Sequence, residues 1–74
     1  MKRMSFNYNK LKGRIKEICQ TQEKFAKELN ISEPALIKKL NNQSQFTQTE
    51  ILKSREILNI SDTEVDKYFF SKQS

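Results

Sequence analysis

Apolar residues recur along the chain at spacings of three and four, the period of an amphipathic helix. Leu11, Ile15, Ile18 and Cys19 make one stripe, and Phe25, Ala26 and Leu29 a second. Leu36 and Leu40 make a third, Ile51, Leu52 and Leu58 a fourth, and Val65, Tyr68 and Phe69, with Phe70 beside them, a fifth. Residues that start and stop helices lie between the stripes. Asn7, Thr21 and Ser32 precede the first three as N-cap candidates, each with a side-chain oxygen able to accept a free first-turn N–H. Thr47-x-x-Glu50 and Ser61-x-x-Glu64 have the spacing of capping boxes. Asn30 and Asn41-Asn42 stand at helix ends where glycine is usual. Pro34 falls second after Ser32, where a backbone N–H has no intrahelical acceptor, so it marks a helix start. The chain has no alternating run of β-branched residues and no Asn-Gly or Asp-Gly hairpin. The pattern predicts an all-α protein, a compact bundle of five short helices. It forms one domain over residues 1–74, with 1–6 as an N-terminal arm and 71–74 as a frayed tail.

The second and third helices, about 21–29 and 33–41, are separated by a tight turn at Asn30. Small Ala26 and Ala35 let them approach, and Ile31 and Leu36 lock the corner. That is the mechanical description of a helix-turn-helix. With Leu36 and Leu40 turned inward, Lys38 lies about 200° round the helix and points out. Glu33, Pro34 and Asn41 share that side or its margin. Phe46 is expected to anchor the polar loop 42–45 to the core. Arg55 sits on the fourth stripe, with its stem along the core and its head in water. Gly13 costs the first helix about 1 kcal/mol relative to alanine, unless a close packing contact requires it.

Charge adds direction to this picture. The 74 residues carry a net charge of +5. Residues 1–43 hold ten Lys and Arg against four Glu, and residues 44–74 hold four against five acids. The positive field therefore belongs to the first half, as a polyanion-binding surface requires. A solubilising lysine excess is the plainer reading. The absence of histidine removes the commonest general base and the usual zinc ligand. Gly13 is the only glycine, so no glycine-rich phosphate loop exists. These absences argue against an enzyme and against any metal or other cofactor. Cys19 is single, and neither a signal peptide nor an apolar run of membrane-spanning length is present, so a cytoplasmic protein without membrane contact is expected.

The stretch "TQEKFAKELNISEPALIKKLNN" resembles the helix-turn-helix of phage lambda-repressor-like and Cro-like proteins. Their pattern T/S-Q-x-x-x-A-x-x-x-G-I-S-x-x-x-L/I is met by Thr21, Gln22, Ala26, Ile31, Ser32 and Leu36. The run "SEPALIKKLNNQSQFTQTEI" is similar to small Cro-like prophage repressors, which share a Lys-Leu-Asn-Gly ending and a Phe-Thr opening of the next helix. Here those are Lys39, Leu40 and Asn41, then Phe46 and Thr47. The likeness covers about residues 6–70. Asn30 and Asn42 replace the family's turn glycines.

The resemblance implies a sequence-specific regulator of the Cro repressor type. Its helix 33–41 would enter the major groove of a double-stranded DNA operator, as a homodimer on a pseudo-palindromic site. It further implies that Ser32, Glu33, Pro34, Ile37, Lys38 and Ser44 face base edges, with Lys38 suited to guanine. Thr21, Gln22, Lys39, Asn41, Asn42 and Thr47 would lie near phosphates. Ile37 either flanks the core or touches a thymine methyl. Glu33 either accepts from cytosine N4 or serves as a helix N-terminal acid. Phe69 and Phe70 are the dimer candidates, with Phe69 favoured for the core. The rival reading is an antitoxin or a protein-interaction adaptor on the same scaffold, since a fold alone does not imply DNA binding.

Overall fold

The computed structural model describes residues 6–72. Five helices run in the order α1 (Asn9–Cys19), α2 (Gln22–Leu29), α3 (Glu33–Leu40), α4 (Gln48–Leu58) and α5 (Val65–Phe69). α1 packs against α2, α4 and α5, and α2 against α1, α3 and α4. One core is shared by all five. Leu11, Ile15, Phe25, Leu36 and Leu58 have no exposed surface, and Ala26, Leu29, Leu40 and Phe69 are buried beside them.

Local chemistry sets the helix ends as the sequence predicts. The Thr21 hydroxyl accepts from the Lys24 N–H at 3.1 Å, and the Ser32 hydroxyl from the Ala35 N–H at 3.2 Å. Pro34 lies in the first turn of α3. Thr47 and Glu50 complete a reciprocal capping box, with bonds of 3.1 and 2.9 Å. At the C-termini, Asn30, Asn42 and Asn59 are all left-handed, with φ of 63, 63 and 54°. Each lets the next residue's N–H reach back five residues: Ile31 to Ala26, Gln43 to Lys38, and Ile60 to Arg55. Such closures satisfy carbonyls that a helix end leaves free.

Four details differ from expectation. The first helix starts at Asn9, because the Asn7 side chain accepts from the Asn9 N–H at 2.9 Å and Tyr8 turns into the core. Leu52 is 56 % exposed, while Ser54 is buried and donates to the Glu50 carbonyl at 2.7 Å. The inward stripe of α4 is therefore Ile51, Ser54 and Leu58, and Leu52 falls about 100° off it. Ile18 is also off its stripe, at 39 % exposure. Residues 61–64 form a turn before α5, in which the Glu64 carboxylate accepts from the Ser61 hydroxyl and no capping box forms.

The ends of the described chain are tied together. Phe6 and Lys72 form an antiparallel bridge, and the Asn7 N–H donates to the Ser71 carbonyl at 2.7 Å. Ser71 and Lys72, expected as the start of a frayed tail, are thus held. Residues 1–5 of the arm and 73–74 of the tail lie outside the described residues. Arg14 of α1 donates through Nε to the Leu58 carbonyl at 2.9 Å and covers the end of α4. Arg55 is partly buried as expected, but its head is not simply in water: it pairs with Asp62, and its Nε is buried without a hydrogen-bond partner among the described residues.

Gly13 is in the interior of α1, and a Cβ there would meet nothing within 4 Å. No packing contact requires it. Replacing Gly13 with alanine should therefore raise the unfolding free energy by about 0.5–1 kcal/mol, because alanine loses less backbone freedom on folding. Urea denaturation of the two proteins measures this directly.

Candidate nucleic-acid interface

The outer face of α3 follows from its inner one. Leu36 and Leu40 are sealed at 0 and 4 % exposure against the core. Ser32, Glu33, Pro34, Ile37, Lys38 and Asn41 are consequently exposed, and Ser44 in the following loop is exposed as well. Ile37 flanks the core without entering it, with 40 % of its surface in solvent. Ser32 already spends an acceptor on the Ala35 N–H, so its remaining capacity is mainly its O–H donor. Among the described residues Glu33 and Lys38 form no ion pair.

The residues expected near phosphates divide into two groups. Thr21, Thr47 and Asn41 are exposed, and Gln22 is half-buried in the first turn of α2. The Thr21 and Thr47 hydroxyls accept cap bonds yet keep a proton to donate. Lys39 and Asn42 are different, because both are consumed inside the protein.

Lys39 is 12 % exposed, and its Nζ lies 3.1 Å from Glu50 Oε1 and 3.0 Å from the Gln45 carbonyl it donates to. It joins the end of α3 to the start of α4 across the loop. The Asn42 amide clasps the Phe6 main chain, accepting from its N–H and donating to its carbonyl at 2.9 Å each. Both polar ends of that amide are therefore occupied. Sequence spacing placed Lys39 and Asn42 at the correct end of α3, but it could not reveal partners at Glu50 and Phe6.

Two lysines that the sequence reading did not assign complete the surroundings. Lys12 and Lys16 of α1, with Gly13, Gln20, Thr21 and Gln22, line an open hollow of about 310 Å³ beside the first turn of α2. The free N–H groups of a helix start and two ammonium groups together favour an anion. The signal was the i, i+4 spacing of the lysines; the missing information was how α1 meets α2.

The aromatic residues resolve cleanly. Phe69 is 1 % exposed and packs edge-on against Phe46 at 5.3 Å, so it belongs to the core and offers nothing to a second copy. Phe70 is 46 % exposed and leans edge-on against Phe6 at 5.9 Å. Phe46 anchors the loop as expected, also touching Tyr8. Cys19 is buried, and burial pushes its thiol above the usual range, with Glu28 adding to the rise and Lys24 opposing it. Among the described residues there is no cluster of side chains able to hold a metal ion, and no helix is long and apolar enough to cross a membrane.

Fold and site together define a small helical protein with one bare, mixed-charge helix face next to a basic hollow. The sequence matches, over residues 4–72, the family described as "Protein of unknown function (DUF739)", and the chain belongs to that family. In three dimensions it is similar to the modulator of repression (MOR) of the temperate bacteriophage TP901-1 from Lactococcus lactis, known from a solution structure. That likeness has a TM-score of 0.77 and 39 % identity and covers 90 % of each chain. No curated protein matches the sequence.

The Lys39–Glu50 pair has a pH signature. Burial pushes the Glu50 carboxyl up, but the Thr47 N–H and the Lys39 ammonium outweigh it and hold the group below its ordinary 4.5. A lowered folded value means that Glu50 stabilises the fold above 4.5, and that this contribution is lost as pH falls through the folded value. Urea denaturation from about pH 7 to about pH 3 should show a smaller acid-induced loss in Glu50→Gln than in the parent.

Proposed function

We propose that the protein is a phage-type transcription regulator that binds double-stranded DNA with α3 in the major groove. The observation that carries this reading is the division of α3, with two leucines sealed inward and Glu33, Pro34, Ile37, Lys38 and Asn41 left bare. A helix so divided can dock on its own protein and still enter a groove about 12 Å wide. On this reading α2 and α3, joined by the turn at left-handed Asn30, act as a helix-turn-helix pair. Gln22, Thr21, Lys12 and Lys16 stand where a backbone phosphate would meet the start of α2. The similarity to a phage modulator of repression supports a regulatory role in the same genetic setting.

Affinity and selectivity would come from different residues. Lysines release counterions from the phosphate backbone, an effect that weakens with salt and ignores sequence. Base edges are read by the bare face: Lys38 toward guanine, Ile37 toward a thymine methyl and Glu33 toward cytosine N4. A lone α3 spans only half a site, so a twofold dimer on a pseudo-palindromic operator is the expected assembly. With Lys39 paired to Glu50, Lys38 is the one unpaired cation of α3 among the described residues, and on this reading α1 and α2 would carry more of the phosphate contact.

A second reading has a specific observation in its favour. Exposed Ile37 and Pro34, between one acid and one base, suit a protein partner as well as a groove. On that reading the protein is an adaptor that alters repression by binding a repressor.

Selection from a random duplex pool, followed by binding in rising salt, separates the two. The DNA reading expects a symmetric consensus and an affinity that falls steeply with salt. Lys38→Ala should relax preference at one base position and cost about 1–3 kcal/mol. Gln22→Ala and the Lys12→Ala/Lys16→Ala pair should weaken all sequences alike. Failure to enrich any sequence, with a flat salt response, would leave the adaptor reading in its place.

A further inference from the structure

The structure also offers a face for a second copy of this chain, adjoining the basic hollow at Gln20 but made without Lys12, Lys16, Thr21 or Gln22. Ile18, Cys19 and Gln20 of the α1 end, Lys24 and Glu28 of α2, and Ile57 of α4 line an open cleft of about 310 Å³. Its floor is made by two isoleucines: Ile18 is 39 % exposed, off the inward stripe of α1, and Ile57 is only partly covered by the core. One lysine and one glutamate, a helical turn apart on α2, border that floor.

Those two charges are not spent on each other. Among the described residues neither Lys24 nor Glu28 makes an ion pair, and the Lys24 ammonium turns back toward Gln20 Oε1 at 3.5 Å. A lysine that precedes a glutamate by four residues is the weaker order for a pair within one helix. A patch that meets its own copy across a twofold axis must be self-complementary. With two α2 helices antiparallel, Lys24 faces the partner's Glu28 while Glu28 faces the partner's Lys24, and the isoleucines close between them.

We propose that the protein self-associates through this cleft, as a weak twofold dimer with reciprocal Lys24–Glu28 pairs around Ile18 and Ile57. The contact is small, which places it among transient interfaces. Phe70, the other exposed aromatic candidate, already uses its ring against Phe6. The proposal concerns the protein without DNA and stands or falls apart from the reading of α3.

Sedimentation velocity over a range of protein concentrations tests it with Lys24→Glu and Glu28→Lys. Both substitutions suit the dipole of α2, placing an acid near its start and a base near its end, which offsets the like-charge pair each creates four residues apart. The parent should show a monomer–dimer equilibrium that weakens with salt. Each single variant should dimerise about tenfold more weakly, since two pairs become two repulsions. An equimolar mixture of the two variants should recover the dimer, because each then carries the charges the other lacks. A parent that stays monomeric overturns the proposal. So do single variants that associate like the parent, a mixture that fails to recover, or a dimer lost on Phe70→Ala but not on charge reversal.

Discussion

Leu36 and Leu40 hold this molecule in its working shape. Each buries against α2 and the core, a gain of about 1.5–3 kcal/mol per side chain. Because they sit four apart, their burial fixes the rotation of α3 about its own axis as well as its position. Everything on the far side of the helix is then committed to solvent. Glu33, Ile37 and Lys38 are exposed for no reason of their own; they are exposed because the leucines are not. A shift of one residue in the register of that helix would hide Ile37 and push a leucine into water.

The helix ends are built to a common plan. Asn30, Asn42 and Asn59 adopt a conformation that favours glycine, and each turns the chain sharply with a back-bond to the helix just completed. An asparagine pays a smaller penalty there than other side chains do, and it brings an amide that glycine lacks. Only at Asn42 is that amide used, to clasp the Phe6 main chain. An asparagine thus adds a tertiary contact that a glycine could not make at one of the three positions. The same region holds the Lys39–Glu50 pair, so the loop after α3 is braced from both sides.

Much of this was legible in the residues. The apolar period places all five helices, and the Thr21, Ser32 and Thr47 caps form the bonds their positions predict, while Asn7 is not the N-cap of α1 and the Ser61–Glu64 box does not form. Local chemistry acts over three or four residues, which a sequence shows directly. The remaining misses are mostly contacts over longer range. Tyr8 enters the core, Arg14 reaches α4, and Lys39 and Asn42 find partners at Glu50 and Phe6. A lysine in the last turn of a basic helix looks free until the packing of the next helix is known. Leu52 fails for another reason: Ile51 and Leu52 lie about 100° apart round α4, only one of them turns inward, and the pattern does not say which yields. For the candidate site, the exposed face of α3 was legible, while the contribution of Lys12 and Lys16 required the approach of α1 to α2.

The bridge between Phe6 and Lys72 has a practical side. Whatever precedes Phe6 and whatever follows Lys72 depart from one place, and the Asn42 clasp sets that place beside the loop after α3. A fluorescent label attached at Phe6 or at Lys72 therefore crowds the same neighbourhood, and moving it from one of these positions to the other brings no relief; Leu52 and Lys53, exposed on α4, offer sites outside that junction.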